Sequence, residues 1–234
     1  LSCPRKKRRN NACVVKGDGV SCLILMPPKK VLAVISSSPG PELLPEILEY
    51  FGDSVTVVHS FPAAMDLLRS SRFDLIIADV HVHDDSDSAF LHSMFDFLRW
   101  VKGDPLSRPT PFVCYSYRDT DLPKYLGEAA STSALVLGAQ SYMSESKPHS
   151  NDIRQVIESL LRKGYDELNY NKSSKADGMS LEGLEVVRQK LLEDMDKVRA
   201  LVGPDITNEI NLLRSGLKGI EELIEQARKN GSDI

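Results

Sequence analysis

The sequence predicts an α/β protein: a doubly wound, five-stranded parallel sheet followed by a C-terminal α-helical hairpin. Three observations carry that prediction. From Val31 onward, short runs rich in Val and Ile alternate with segments whose apolar residues recur at helical spacing. The most apolar run, Leu75–Ala78 with Val80 beyond it, is interrupted by Asp79. That places a carboxylate at the carboxyl end of a buried strand, where open α/β sheets hold their chemistry. Finally, the last fifty residues carry two long segments with apolar steps of three and four.

Taken in order, the strand candidates are Val31–Ile35, Val55–His59, Asp74–Asp79, Phe112–Ser116 and Ala139–Met143, each bounded by Ser, Gly, Asp or Pro. The helical segments between them are Pro41–Tyr50, Phe61–Arg69, Ser88–Val101 and Pro123–Leu137, and Asp152–Arg162 follows the last strand. Five β/α units in succession mean a parallel sheet with helices on both faces, because each helical crossover returns the chain to the end of the sheet where the previous strand began. The pattern predicts a flavodoxin-like, doubly wound domain over residues 29–163.

Residues 164–180 hold few apolar side chains and read as a linker. The hairpin, residues 181–229, begins with Leu184, Val187, Leu191, Met195, Val198 and Val202. Its second helix carries Ile206, Ile210, Leu213, Leu217, Ile220, Ile224 and Ala227 in a 4-3-4-3-4-3 rhythm, a seam of coiled-coil type. Gly203-Pro204 separates the two: Gly ends one helix and Pro opens the next. Two helices alone bury little surface, so the seam is expected to meet a second copy in a four-helix homodimer, or else the chain's own α/β domain.

Composition bounds the rest. Of 234 residues, 41% are hydrophobic and 26% charged, ordinary for a globular protein. The chain opens on Leu1, and Met26 begins MPPKKVLAVI, which reads as a bacterial start. Residues 1–25 are accordingly expected to be a disordered or non-native tail. Taking them away removes six basic and one acidic side chain from the 29 and 33 of the whole chain, leaving a net charge of −9. That argues against a nucleic-acid partner, even with the Arg5–Arg9 cluster in the tail. Cys3, Cys13 and Cys22 lack metal-ligand spacing, and Cys114 falls inside an apolar run and reads as a core thiol. No disulfide framework is implied, and a reducing cytoplasm fits. Val20–Met26 is too short to span a membrane, so no membrane partner is expected.

Four passages carry a resemblance. Lys29–Ile35 (KKVLAVI) is similar to the first strand, and Phe73–Asp79 (FDLIIAD) to the third strand, of the receiver domain of two-component response regulators, the CheY-like family. Phe95–Asp121 (FDFLRWVKGDPLSRPTPFVCYSYRDTD) resembles that family's passage into strand four, and Leu137–Tyr142 (LGAQSY) the opening of strand five. The resemblance implies phosphoryl transfer from a phosphohistidine to an aspartate, with charge on three phosphoryl oxygens to be compensated. It makes Asp79 the phosphoacceptor candidate and His81 the residue whose backbone carbonyl would face a Mg²⁺ ion. Ser116 becomes the hydroxyl that contacts the phosphoryl group, and Tyr142 the aromatic switch. Lys147, before Pro148, is the nearest counterpart of the family's lysine, although Glu145 stands at the usual spacing.

The acidic pair that should hold the metal falls within Ile35–Ser38, where the residues are Ile-Ser-Ser-Ser. Mg²⁺ needs hard oxygen ligands, and hydroxyls are weak neutral ones, so Mg²⁺ binding is expected to be weak. The resemblance is therefore to a degenerate, or pseudo-, receiver: a non-enzymatic interaction module in two-component-type signalling, with a sensor kinase or another signalling protein as partner. A phospho-accepting regulator with Mg²⁺-dependent transfer to Asp79 is one alternative. A metal-dependent hydrolase is another, since Asp79, His81 and His83 alternate on an extended segment and the two imidazoles could share an ion. The second hairpin helix faintly resembles the phosphorylated helix of histidine kinases, with Asn208 in place of the histidine.

Overall fold

A computed structural model describes residues 14–16, 19–21, 29–36, 54–82, 93–116, 124–144, 155–157, 159–160, 179–202 and 207–231. Within the stretch expected to be a tail, β1 (Val14–Lys16) pairs antiparallel with β2 (Gly19–Ser21). The sequence rationalises this pairing: Gly17-Asp18 between residues of β propensity is a two-residue turn signal.

The main sheet contains β3 (Lys30–Val34), β4 (Ser54–Val58), β5 (Leu75–Asp79), β6 (Phe112–Ser116) and β7 (Ser141–Ser144). All neighbours are parallel, in the order β4-β3-β5-β6-β7. Numbered within the sheet, that is 2-1-3-4-5, the flavodoxin-like order, whose switch point lies between β3 and β5. Asp79, last residue of β5, sits at this switch point.

Helices α1 (Phe61–Ser70), α2 (Met94–Gly103) and α3 (Lys124–Val136) connect the strands. Ser60 caps α1, its hydroxyl accepting the Ala63 N–H at 3.4 Å, and Ser93 caps α2 by accepting the Asp96 N–H at 3.3 Å. Helix α3 ends in a left-handed Gly138 (φ 99°), with the Ala139 N–H returned to the Ala134 carbonyl. That cap consumes Ala139, which explains why β7 starts at Ser141 rather than two residues earlier. Residues 155–157 and 159–160 are helical, as expected after the last strand. The predicted helix Pro41–Tyr50 and most of the linker lie outside the described residues.

Strand alternation divides the core in two. Val31, Ala33, Ile35, Leu75, Ile77, Val113, Tyr115 and Met143 face Ile157 on one side. On the other, Leu32, Val34, Ile76, Ala78, Phe112 and Cys114 pack under the helices. There Phe97 stacks on Phe61 at 5.1 Å and meets Phe112 at 5.8 Å. Cys114 is a free buried thiol, and burial pushes its pKa up.

This second core also receives the hairpin, α4 (Leu181–Val202) and α5 (Thr207–Gly231). Helix α5 lies on α2 and α3, while α4 lies on α3. Leu184, Leu191, Met195, Leu213, Ile220 and Ile224 are buried, and Ile210, Leu217 and Ala227 are half-buried against them. Ile206 and the side chains of Val198 and Val202 lie outside the described residues. Of the two partners expected for the seam, the chain's own α/β domain is the one its described residues pack against. Small residues are the physical reason. A Cβ on Gly219 would stand 2.6 Å from Leu137 and one on Gly216 3.2 Å from Phe95, so glycine lets the α5 backbone settle onto the domain. Each fully buried Leu or Ile contributes about 1.5–3 kcal/mol, which a second copy would otherwise have to supply.

Candidate functional site

The ends of three strands converge on Asp79. Its carboxylate is fully buried. Oδ1 accepts the main-chain N–H of His81 at 2.9 Å, and Oδ2 accepts that of Ser36, just past β3, at 3.4 Å. Beyond the strand proper, the Val80 N–H donates to the Tyr115 carbonyl at 2.8 Å, so the β5–β6 ladder runs on past the carboxylate. The His81 ring then turns toward β6, where its Nε2 and the Ser116 Oγ share a hydrogen bond of 3.1 Å. Ser116 is also fully buried. On the other flank, the His59 Nδ1 lies 3.0 Å from the Ile35 carbonyl.

The structure thus brings together Asp79, His81 and Ser116, three of the residues singled out in the sequence. Tyr142 is in register with Cys114 on the neighbouring strand and is half-buried. Lys147, His83, Ser37 and Ser38 lie outside the described residues. What the sequence did not reveal is that the His81 ring and its amide N–H are both hydrogen-bonded, besides the carbonyl to which the resemblance points. The Ser36 N–H was equally hidden, because every non-proline residue carries that donor and no residue type marks it.

A Mg²⁺ ion in a small site would draw on several anionic oxygens. Among the described residues the site offers one carboxylate, with each oxygen already accepting an N–H, next to the apolar Ile35 and the neutral Ser36. These donors do not fit that ion. No three His, Cys, Asp or Glu side chains converge anywhere among the described residues. The His81 ring that a hydrolase reading assigns to a metal is bonded to Ser116.

What the arrangement does chemically follows from its burial. Each oxygen accepts a main-chain N–H, and a carboxylate oxygen has lone pairs for more than one donor, so it is burial rather than hydrogen bonding that keeps the carboxylate from an incoming group.

No family model matches the chain, and no curated protein matches it. Solved structures do resemble it. The chain is similar to receiver domains. A putative response regulator from Chloroflexus aurantiacus is 19% identical, over 58% of this chain and 99% of that one, with a TM-score of 0.47. The signal receiver domain of a histidine kinase from Syntrophus aciditrophicus is 25% identical over 58% and 92%, at 0.44. The receiver domain of a sensor histidine kinase from Pseudomonas aeruginosa, with a magnesium ion in its active site cleft, is 14% identical over 58% and 99%, at 0.45.

Proposed function

We propose that this chain is a pseudo-receiver: a receiver-like protein of two-component-type signalling that works in the cytoplasm as a protein-interaction module, without enzymatic activity and without routine phosphoryl acceptance at Asp79. The observation that carries this reading is the state of the carboxylate. Both oxygens of Asp79 accept main-chain N–H groups, and the hydroxyl of Ser116 is joined to His81. A group that must receive a phosphoryl needs access to the phosphodonor and charge compensation for three oxygens; here the carboxylate is fully buried, and the segment Ile35–Ser38, where the acidic pair that would hold a metal should fall, carries no carboxylate. The partner is a sensor kinase or another signalling protein. Nucleic acid and membrane are not part of the proposal: the charge balance beyond residue 25 is acidic, and no helix among the described residues is long and apolar enough to cross a membrane.

The test is direct. After incubation with acetyl phosphate or phosphoramidate and Mg²⁺, the intact mass of the full chain is expected to be unchanged. A phosphoryl adduct that disappears in Asp79→Asn overturns the proposal in favour of a phospho-accepting regulator. Replacing Ser36 by Asp is expected to strengthen Mg²⁺ binding by adding negative charge beside Asp79.

A further inference from the structure

We propose that a small cavity at the amino edge of the sheet, between the end of α1 and the loop that joins α2 to β6, is a docking site for an acidic segment of a partner protein that inserts one apolar side chain. The proposal gives the interaction module a surface and rests on that reading for a protein as its occupant. The cavity lies at the opposite end of the strands from Asp79, since Phe73 and Thr110, which line it, precede β5 and β6.

Size narrows the occupant first. The cavity holds about 170 Å³, whereas sites for small molecules and cofactors take about 300–1,000 Å³. It has room for a side chain and not for a metabolite. Buried Leu68 and Phe73 give it apolar lining, and Leu106 stands beside them 51% exposed. A single exposed leucine is ordinary on a protein surface; one held at the rim of a cavity is a ready contact. Leu106 is held because its loop is. The Lys102 Nζ donates to the Arg108 and Thr110 carbonyls at 3.3 and 2.9 Å, and the Ser107 N–H and hydroxyl both donate to Asp104, at 2.8 and 2.6 Å. The Thr110 hydroxyl donates to the Phe73 carbonyl at 3.4 Å and so joins the two walls. A preformed site loses little to ordering when it binds.

Charge narrows the occupant further. Arg69 and Arg72 both line the cavity. Arg69 is already matched, pairing with Asp66 at 2.9 Å and lying 5.6 Å over the Trp100 ring. Arg72 is not: its Nη1 donates to the Leu106 carbonyl at 3.1 Å, and among the described residues no carboxylate pairs with it. The other nearby carboxylates are engaged, Asp104 by Ser107, and Asp74 by Lys29 and the Lys30 N–H. A guanidinium carries five N–H donors in a fork that fits a carboxylate, so Arg72 has donors to offer next to the exposed Leu106. The match is a peptide whose apolar residue has Asp or Glu beside it, and an apolar side chain in a pocket next to an arginine is the make-up of an interface hot spot.

The test is an amide NMR titration of the ¹⁵N-labelled full chain with three blocked pentapeptides. One carries a central leucine between two acidic residues on each side; the second has alanine for the leucine, and the third has lysine for the acidic residues. The first is expected to shift amides within residues 68–73 and 106–110 saturably, with both controls binding at least about tenfold more weakly. Arg72→Gln and Leu106→Ala, at exposed positions, are expected to leave the rest of the spectrum unchanged and each to weaken the first peptide about tenfold, the scale of one lost charge-assisted hydrogen bond or one lost apolar anchor. Absence of a saturable shift in those residues, equal binding of the alanine peptide, or unchanged binding by both variants overturns the site. The same shifts from inorganic phosphate at equal concentration overturn it as well, by making it a general anion site. The phosphodonor assay separates the parent reading: an adduct on the native protein rejects the pseudo-receiver and leaves the docking site to the titration, whereas no adduct and no peptide shift reject the docking site alone.

Discussion

Asp79 and Asp96 are both surrounded by donors, yet they hold the molecule together in different ways. Asp79 is fully buried, and main-chain N–H groups from the ends of the sheet donate to both its oxygens. Asp96, near the start of α2, has a side chain that is 19% exposed and is served by side chains: the Ser93 hydroxyl at 3.0 Å, Arg99 at 3.2 Å, and the Ser215 hydroxyl of α5 at 2.9 Å. Arg99 in turn pairs with Glu222, so this second cluster stitches the hairpin to the domain. Side-chain donors can rotate to water when a partner is lost, whereas main-chain donors cannot move without their strands. The same residue type is therefore a structural tie in one place and an adjustable stitch in the other.

The apolar part of the hairpin interface gives the largest expected effect. Leu213→Glu places an unpaired charge at a fully buried position and is expected to cost about 3 kcal/mol or more in urea unfolding. Light scattering should find the unmodified full-length protein monomeric; a dimer that Leu213→Glu dissociates would restore the idea of a seam between copies. Next comes the comparison itself. Asp79→Ala leaves two part-buried N–H groups without their acceptor and is expected to cost about 2–4 kcal/mol, against about 1 kcal/mol for Asp96→Ala, whose Arg99 and Ser215 partners partly reach solvent. Equal losses would mean that the distinction between main-chain and side-chain donors has no energetic weight here.

A third polar centre lies at the opposite edge of the sheet and is read through pH. Lys102 donates to the Thr110 carbonyl at 2.9 Å and the Arg108 carbonyl at 3.3 Å, and burial lowers its pKa to about 8. The folded pKa is thus below the unfolded value near 10.5. Between those values the unfolded chain holds a proton that the folded chain has released, so stability from this group rises with pH across that window, by at most about 1.4 kcal/mol per pH unit. Lys102→Met is expected to flatten the slope of the urea midpoint between pH 8 and 10; an unchanged slope would assign the trend to other groups. The smallest effect is expected at the rim. Glu222→Gln leaves a half-exposed pair without its charge and should cost below about 1 kcal/mol, with the loss shrinking as salt is raised.

Much of this molecule is readable from the chain. Phe112–Ser116 is a strand with the predicted bounds, and Leu75–Asp79 is one residue shorter than predicted. Runs such as LIIAD and FVCYS are apolar throughout because a central parallel strand is buried on both faces, and that requirement is local and unmistakable. The helix start at Phe61, after its Ser60 cap, is where the pattern put it, because the cap and the orphan N–H it serves lie within one turn, whereas the helix expected from Ser88 is described from Met94, after Ser93. The position of Asp79 at the switch point is legible too, since it is the last residue of such a run. Its partners are not. Main-chain N–H groups carry no residue signature, and the His81 side chain could as well have faced a metal or solvent.

The sequence by itself determined the order of strands and helices, the switch-point carboxylate and an amphipathic pair of terminal helices, all of which follow from periodicity and from interactions within a few residues. Tertiary structure alone decided what those features meet. A 4-3 seam buries as well against a second copy as against its own domain, and the choice fell to glycines at positions 216 and 219 facing Phe95, Ser133 and Leu137, residues about 80 to 120 positions away. Likewise the tie between His81 and Ser116 exists because parallel pairing sets β6 beside β5, a neighbour relation that a one-dimensional pattern does not contain.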